Sequence, residues 1–349
     1  MKQKKQKLPE ATPPTLDEWK QLYDLAAKIK DLAPWDWMEE DDLFGFQMPG
    51  TGELGFISVM GALGEHYSIA IYQGIEGLDG FWKMQNLGPK LTPEFILQVP
   101  QLQLSFEDRE IITTEDRAVM KSLGLKFRGA NAWPQFRSYR PSCFPWYLKQ
   151  AEAGMLICGL EQTLDVAPRV KVDPDILFPT DEENDYLLRV NAKGSWKDDQ
   201  IHVDIPYTKT IELHINLPAL AELKGRMPGD ASVEVDFYML EEPIQENKQE
   251  RPFFPYMLML AEHDSGFILG SELLKPLPSM EAMWEQIPAK VIESLINTLE
   301  PKEILVQNEF LKSLLQSLEE ELRIKIKKVS RLTAINRAKR ELNKFMSRF

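Results

Sequence analysis

Near the start of the chain, apolar residues recur at a helical period behind a clear start signal. Thr15 stands three positions before Glu18, the spacing in which a hydroxyl and a carboxylate each satisfy the other's free backbone N–H. Trp19, Leu22, Tyr23, Ala26 and Ile29 then share one face, which predicts an amphipathic helix over residues 16–31, ended by Pro34. Beyond it the period shifts to two. Strands are expected at 43–48, 54–60 and 66–72, the first two separated by P-G-T-G-E, and again near 101–106 and 135–139. Helices are expected at 75–86, 114–123 and 147–164. These elements predict a flexible basic tail at 1–14 and an N-terminal α+β domain over 15–178, closing near V-A-P-R-V-K-V-D-P-D.

Residues 179–349 read as a β-rich bridge followed by a C-terminal core at 231–349. The bridge holds Y-L-L-R-V (186–190), I-H-V-D-I (201–205) and I-E-L-H-I (211–215). The core opens with the alternating strand A-S-V-E-V-D-F-Y-M-L, then a hairpin turning at Asp264-Ser265-Gly266. A helix interrupted at Pro288 follows, then the strand E-I-L-V, a helix from Glu309, the strand I-K-I-K-K-V and a last helix from Ala334.

Three strands and then alternating helix and strand resemble the ribonuclease H-like fold of transposase and integrase cores. The stretch P-K-E-I-L-V-Q-N-E-F-L-K-S-L-L-Q-S-L-E-E-E-L-R-I-K-I-K-K-V is similar to that family's fourth strand and following helix. The whole chain also resembles uncharacterised bacterial proteins that pair two domains of unknown function, on M-G-A-L-G-E-H-Y-S-I-A-I-Y-Q-G-I-E-G and F-F-P-Y-M-L-M-L-A-E-H-D-S-G-F-I-L-G-S-E-L-L. The expected class is therefore α+β, with a β-rich bridge leading to a ribonuclease H-like α/β domain.

Composition changes this picture in two ways. The 349 residues, 43% hydrophobic and 27% charged, suit an ordinary globular protein of two domains, without a run long enough to span a bilayer. Two cysteines in no zinc-type or redox-type spacing argue for a reducing, cytoplasmic setting. The net charge of −13 conceals an asymmetry: residues 322–349 carry ten Lys or Arg against one acid, which leaves 31 basic and 53 acidic residues elsewhere, or −22. Attraction of the whole surface to nucleic acid is disfavoured, while a basic face on the last helix remains open to it.

The ribonuclease H resemblance implies carboxylates gathered around two magnesium-type ions. It places Asp236 as the first-strand aspartate and Glu341 as the acid of the last helix. Where integrase-like sequences put Asp-Asn, this chain has Gln307-Asn308, and a neutral amide is a poor substitute in such a site. Glu309 and Asp264 are the acids nearest to compensating. The favoured expectation is a fold kept without its chemistry, in a binding or regulatory protein with a protein partner. The alternative is a divalent-metal-dependent nuclease or phosphodiesterase built on Asp236, Asp264, Glu309 and Glu341.

A second chemistry is suggested by I-H-V-D-I-P-Y-T-K-T-I-E-L-H-I. If the loop at 206–210 pairs Ile205 with Ile211, Asp204 lies opposite Glu212 and His202 opposite His214 on one face of a hairpin. Two imidazoles, a carboxylate and a water could then hold zinc, with Lys209 near the opposed acids. The competing reading is the polar side of a half-buried sheet.

Three other stretches have plainer readings. Glycines 61, 64, 74, 77 and 80 suit turns and close packing, with Glu65 and His66 as possible ligand-facing residues. Trp35 and Trp37 beside Glu39, Glu40, Asp41 and Asp42 are expected to cover the end of the preceding helix. Ile335, Ala338, Leu342, Phe345 and Phe349 form an apolar stripe, with Arg337, Lys339, Arg340 and Lys344 elsewhere on the helix. No phosphate-binding loop, nucleophile elbow, H-E-x-x-H or paired C-x-x-C occurs, which weakens an enzymatic reading.

Overall fold

The computed structural model describes residues 12–206, 211–226 and 229–346. Among them the first helix, α1 (Leu16–Leu32), forms as its sequence requires. Glu18 N–H donates to Thr15 Oγ1 at 3.2 Å, and Thr15 N–H donates to Glu18 Oε2 at 2.7 Å. Leu22, Tyr23, Leu25, Ala26 and Ile29 are buried, and Ala33 closes the helix in the left-handed region before Pro34.

Two units divide the described chain, with Pro141–Phe144 and the residues from Ile211 onward forming the second. In the first unit, β1 (Phe44–Gln47), β2 (Leu54–Met60) and β3 (Ser68–Gln73) lead to α2 (Gly74–Leu87) and the short α3 (Pro93–Ile96). Next come β4 (Gln101–Glu107), α4 (Thr114–Ser122), β5 (Trp133–Tyr139) and α5 (Gln150–Val172). Helix α5 runs well past the expected end at 164, through Pro168. An interior proline costs roughly 3 kcal/mol, and burial of Val166, Ala167 and Val170 offsets it.

The β-rich bridge is not a separate element, a difference from expectation. β6 (Asp185–Ala192) pairs in parallel with β1, Gly45 against Leu188, and β7 (Ser195–His202) folds back antiparallel on β6. Both extend one seven-stranded sheet in the order β5-β4-β3-β2-β1-β6-β7. The β6–β7 turn is Lys193-Gly194, with φ of 56° and 87°, the double left-handed geometry that matches strand twist. β7 lacks an apolar alternation because it is an exposed edge.

The second unit begins with α6 (Leu217–Lys224), followed by β8 (Ala231–Met239), β9 (Tyr256–Glu262) and β10 (Ile268–Leu274). The segment with Pro288 is two helices, α7 (Met280–Trp284) and α8 (Ile287–Ile296), the proline lying in the first turn of α8 where its missing N–H costs nothing. β11 (Pro301–Val306), α9 (Glu309–Leu322), β12 (Lys325–Lys328) and α10 (Thr333–Met346) complete it. The sheet order is β10-β9-β8-β11-β12, with β8, β9 and β10 antiparallel and β11 parallel to both neighbours. Val233, Val235 and Phe237 of β8 join the core beneath α6, α8 and α9. On the opposite face, Met259, Ala261 and Leu305 pack against Leu332, Ala334 and Ile335 of the α10 segment. That second face carries the polar chemistry.

Candidate functional site

Strand alternation sends the side chains of Ser232, Glu234, Asp236 and Tyr238 to the face that α10 covers. A carboxylate buried there must find donors. Glu234, 0% exposed, accepts from His263 Nδ1 at 2.6 Å, Thr333 Oγ1 at 3.2 Å and the Ile335 backbone N–H at 2.9 Å. The Ile335 N–H belongs to the first turn of α10, where backbone donors lack helical partners, so Glu234 both satisfies one and places negative charge at the positive helix end.

One helical turn further along α10, Lys339 Nζ lies 2.5 Å from Asp236 Oδ2, while Asp236 Oδ1 accepts the Phe237 N–H at 2.9 Å. The same ammonium stands 3.5 Å from the centre of the Tyr238 ring. Burial, with the Asp236 charge adding to it, pushes the Tyr238 phenol up to about 12. Its hydroxyl is buried and has no hydrogen-bond partner among the described residues. His263, whose backbone N–H donates to Ser232 O at 2.9 Å, and Lys339 are the parts of this arrangement that reach solvent. Two acids are thus each answered by α10, one through its N-terminus and one through a lysine.

The remaining acids suggested by the sequence lie elsewhere. Asp264 is exposed in the β9–β10 turn, its N–H donating to Glu262 Oε1 at 3.2 Å. Glu309 begins α9 and pairs with Lys328 at 2.9 Å, which holds its carboxyl below the usual range. Glu341 pairs with Lys344 at 2.8 Å on the outer side of α10, and that lysine lowers its pKa too. Gln307 Nε2 donates to Ser330 O at 3.0 Å, and Asn308 caps α9 through the Phe310 N–H. Among the described residues, no group of three or more His, Cys, Asp or Glu stands ready to hold a metal ion.

Among the described residues the expected 201–215 hairpin is absent, since 211–215 form no strand. His202 ends β7, where its register partner is Asp185 of β6, and its Nδ1 lies 2.6 Å from Asp185 Oδ1. Asp204 is exposed, with its Oδ1 3.7 Å from His202 Nε2. Residues 211–215 keep their alternation without forming a strand: Ile211, Leu213 and Ile215 pack on the second unit's core, while Glu212 and His214 face outward. His214 Nδ1 lies 3.6 Å from Glu285 Oε2, and its backbone N–H donates to Glu285 O at 3.0 Å. His202 and His214 therefore belong to different units. The connecting residues 207–210, Lys209 included, lie outside the described residues, as do the side chain of Phe345 and all of Phe349.

The indoles of Trp35 and Trp37 meet α5, Tyr67 and β4 rather than only the end of the preceding helix. Trp37 Nε1 donates to Ala167 O at 2.9 Å and Lys171 lies over its ring, while Trp35 packs on Tyr67 and Phe106. His66 Nε2 lies 3.3 Å from Gln103 Nε2, and its Nδ1 lies 4.0 Å from Glu107 Oε1. Arg337 donates to Ser265 O at 3.2 Å, with its guanidinium over Gly266, so the basic face of α10 is partly engaged within its own unit.

Comparison with known families covers most of these two units. Residues 19–189 match DUF7309, a domain of unknown function. Residues 219–343 match DUF6930, described in the same words. The chain carries two adjacent domains of these kinds, and the Glu234–Asp236 site with the whole of β8 to β12 lies in the DUF6930 segment. No curated protein and no solved structure matches the chain. Among the described residues no helix is long and apolar enough to cross a membrane.

Sequence reasoning picked out Asp236 but missed Glu234, His263 and Thr333. The alternation of β8 alone puts Glu234 beside Asp236 on one face. What it does not supply is the partner, since Thr333 and Ile335 follow about a hundred residues later.

Proposed function

We propose that the DUF6930 segment is a ribonuclease H-like domain that has given up two-metal chemistry, and that the protein is a cytoplasmic binding or regulatory protein. The element order supports the fold: three antiparallel strands, then the helical segment α7–α8, strand, helix, strand and helix, with β11 and β12 added in parallel beside β8. One observation carries the loss of chemistry. The Lys339 ammonium sits on Asp236 where the first-strand aspartate would need a divalent ion. An ammonium neutralises the carboxylate but offers no vacant coordination position and no acidified water, so it replaces a metal's charge and none of its reactivity. Gln307 agrees with this, since its amide N–H donates to the Ser330 carbonyl and its side chain supplies no charge for a second ion.

The reducing setting is supported by Cys143 and Cys158, both buried, with the Cys158 thiol pushed up to about 12 by burial and so held unreactive. The test is cleavage of single- and double-stranded DNA and RNA in magnesium or manganese, wild type beside Asp236→Asn. Neither protein is expected to cut. Metal-dependent cutting by the wild type that disappears in Asp236→Asn would restore the nuclease.

A further inference from the structure

The two edges of the second sheet are built differently. β12, at one edge, is Lys-Ile-Lys-Lys, and outward lysines are a common guard against strand addition. β10, at the other edge, leaves Ile268 and Leu273 exposed at 37% and 45%, beside Phe267 of the preceding turn at 67%. We propose that β10 is a self-association edge, pairing antiparallel with β10 of a second copy of this chain about a two-fold axis through Ser271. This goes beyond the functional reading above and does not depend on it.

The register carries the argument. β10 is bulged: Ile268 pairs with Ala261, Ser271 with Met259 and Leu273 with Met257, so three residues unevenly spaced in sequence oppose partners evenly spaced on β9. Ile268 and Leu273 therefore stand equally far from Ser271 along the strand, and on the same face. A two-fold axis at Ser271 sets Ile268 of each copy opposite Leu273 of the other. It sets Gly270 opposite Glu272, so no two like charges meet. Glu272 keeps its own ion pair with Lys290 at 2.6 Å.

The backbone agrees. Glu262 N–H donates to Phe267 O at the turn, and hydrogen-bonded pairs alternate from there down an antiparallel ladder. Ile268, Ser271 and Leu273 then direct their N–H and C=O groups away from β9, to the open edge. Each outward residue meets an outward residue across the axis, which makes an isologous joint. The two five-stranded sheets become one of ten strands.

Analytical ultracentrifugation of the full chain across a concentration series tests this, beside Leu273→Lys and Ser271→Pro. The wild type is expected at twice 40.2 kDa and both variants at the single mass, with unchanged circular dichroism. Leu273→Lys places on β10 the guard that β12 already has, and the Ser271 N–H makes no bond within the sheet for proline to remove. Ser271→Cys should cross-link under mild oxidation, because directly opposed hydrogen-bonded residues have Cα atoms about 5.5 Å apart. The native thiols are buried and do not compete. A monomeric wild type, or a dimer that survives both substitutions and stays unlinked at Ser271→Cys, overturns the proposal.

Discussion

Lys339 Nζ lies 2.5 Å from Asp236 Oδ2 and 3.5 Å from the Tyr238 ring centre, so a cation carried by the last helix satisfies an acid on the first strand of the second sheet. More than a hundred residues separate the pair in sequence. Asp236 is nearly buried, and a buried carboxylate left without its partner is costly while the removal of both partners is not. Lys339→Met should therefore destabilise the protein by about 3 kcal/mol, and Lys339→Met with Asp236→Asn should recover most of that loss. Urea denaturation of the two single variants and the double variant checks it. Additive losses would mean that the pair is not coupled.

Glu234 gives a second prediction because its three donors come from two elements. Glu234→Ala leaves His263 Nδ1, Thr333 Oγ1 and the Ile335 N–H without their acceptor, and should cost about 3 kcal/mol. Thr333→Ala removes one donor and should cost about 1 kcal/mol. Hydrogen exchange should show the loss concentrated in the first turns of α10. Uniform deprotection of the second unit would count against Glu234 as the anchor of that helix.

In the first unit, Asp116 controls a stretch of the acid limb. Burial works against its charge, but the paired bonds from Arg137 at 3.0 and 2.6 Å, together with Thr113, outweigh burial and hold the carboxyl below its usual range. A group whose folded pKa is depressed stabilises the protein above its unfolded value, and that contribution is lost as pH falls through the folded value. The unfolded value for aspartate is about 3.9. Stability measured by urea from neutral pH downward should fall below about pH 4. In Asp116→Asn this part of the fall should be absent, on a lower neutral plateau. An acid limb of equal steepness in both proteins would remove Asp116 from the account.

Legibility in the sequence followed the locality of the determinant. α1 could be read from Thr15, Glu18 and a single apolar stripe, because cap and stripe lie within one segment. The order of β8 to α10 could be read for the same reason, each element carrying its own period. β6 and β7 were visible as strands in part, but not their place beside β1, since only the parallel pairing of Gly45 with Leu188 decides that. The His202–His214 hairpin failed because alternation at 211–215 reflects packing on a core, which an extended segment achieves without a strand partner. At the acidic face, Asp236 drew notice through its strand. Lys339 read as one solvent-facing cation among several, because nothing local marks a lysine that turns inward.

His202 offers the last prediction, and it bears on the zinc reading of the same residue. The hydrogen bond from His202 Nδ1 to Asp185 favours the imidazolium, with the Asp185, Asp204 and Glu182 charges adding to it, and raises its pKa above the ordinary value. Asp185 is lowered in turn, first by Thr180 and then by His202. A raised folded pKa means that the stabilisation is complete below the unfolded value of about 6.5 and disappears as pH rises through the folded value. Proton NMR should place the His202 midpoint above about 6.5, and Asp185→Asn should return it toward that value. A His202 midpoint indifferent to Asp185→Asn would mean that the pair does not persist in solution, and would leave both ring nitrogens open to a metal ion.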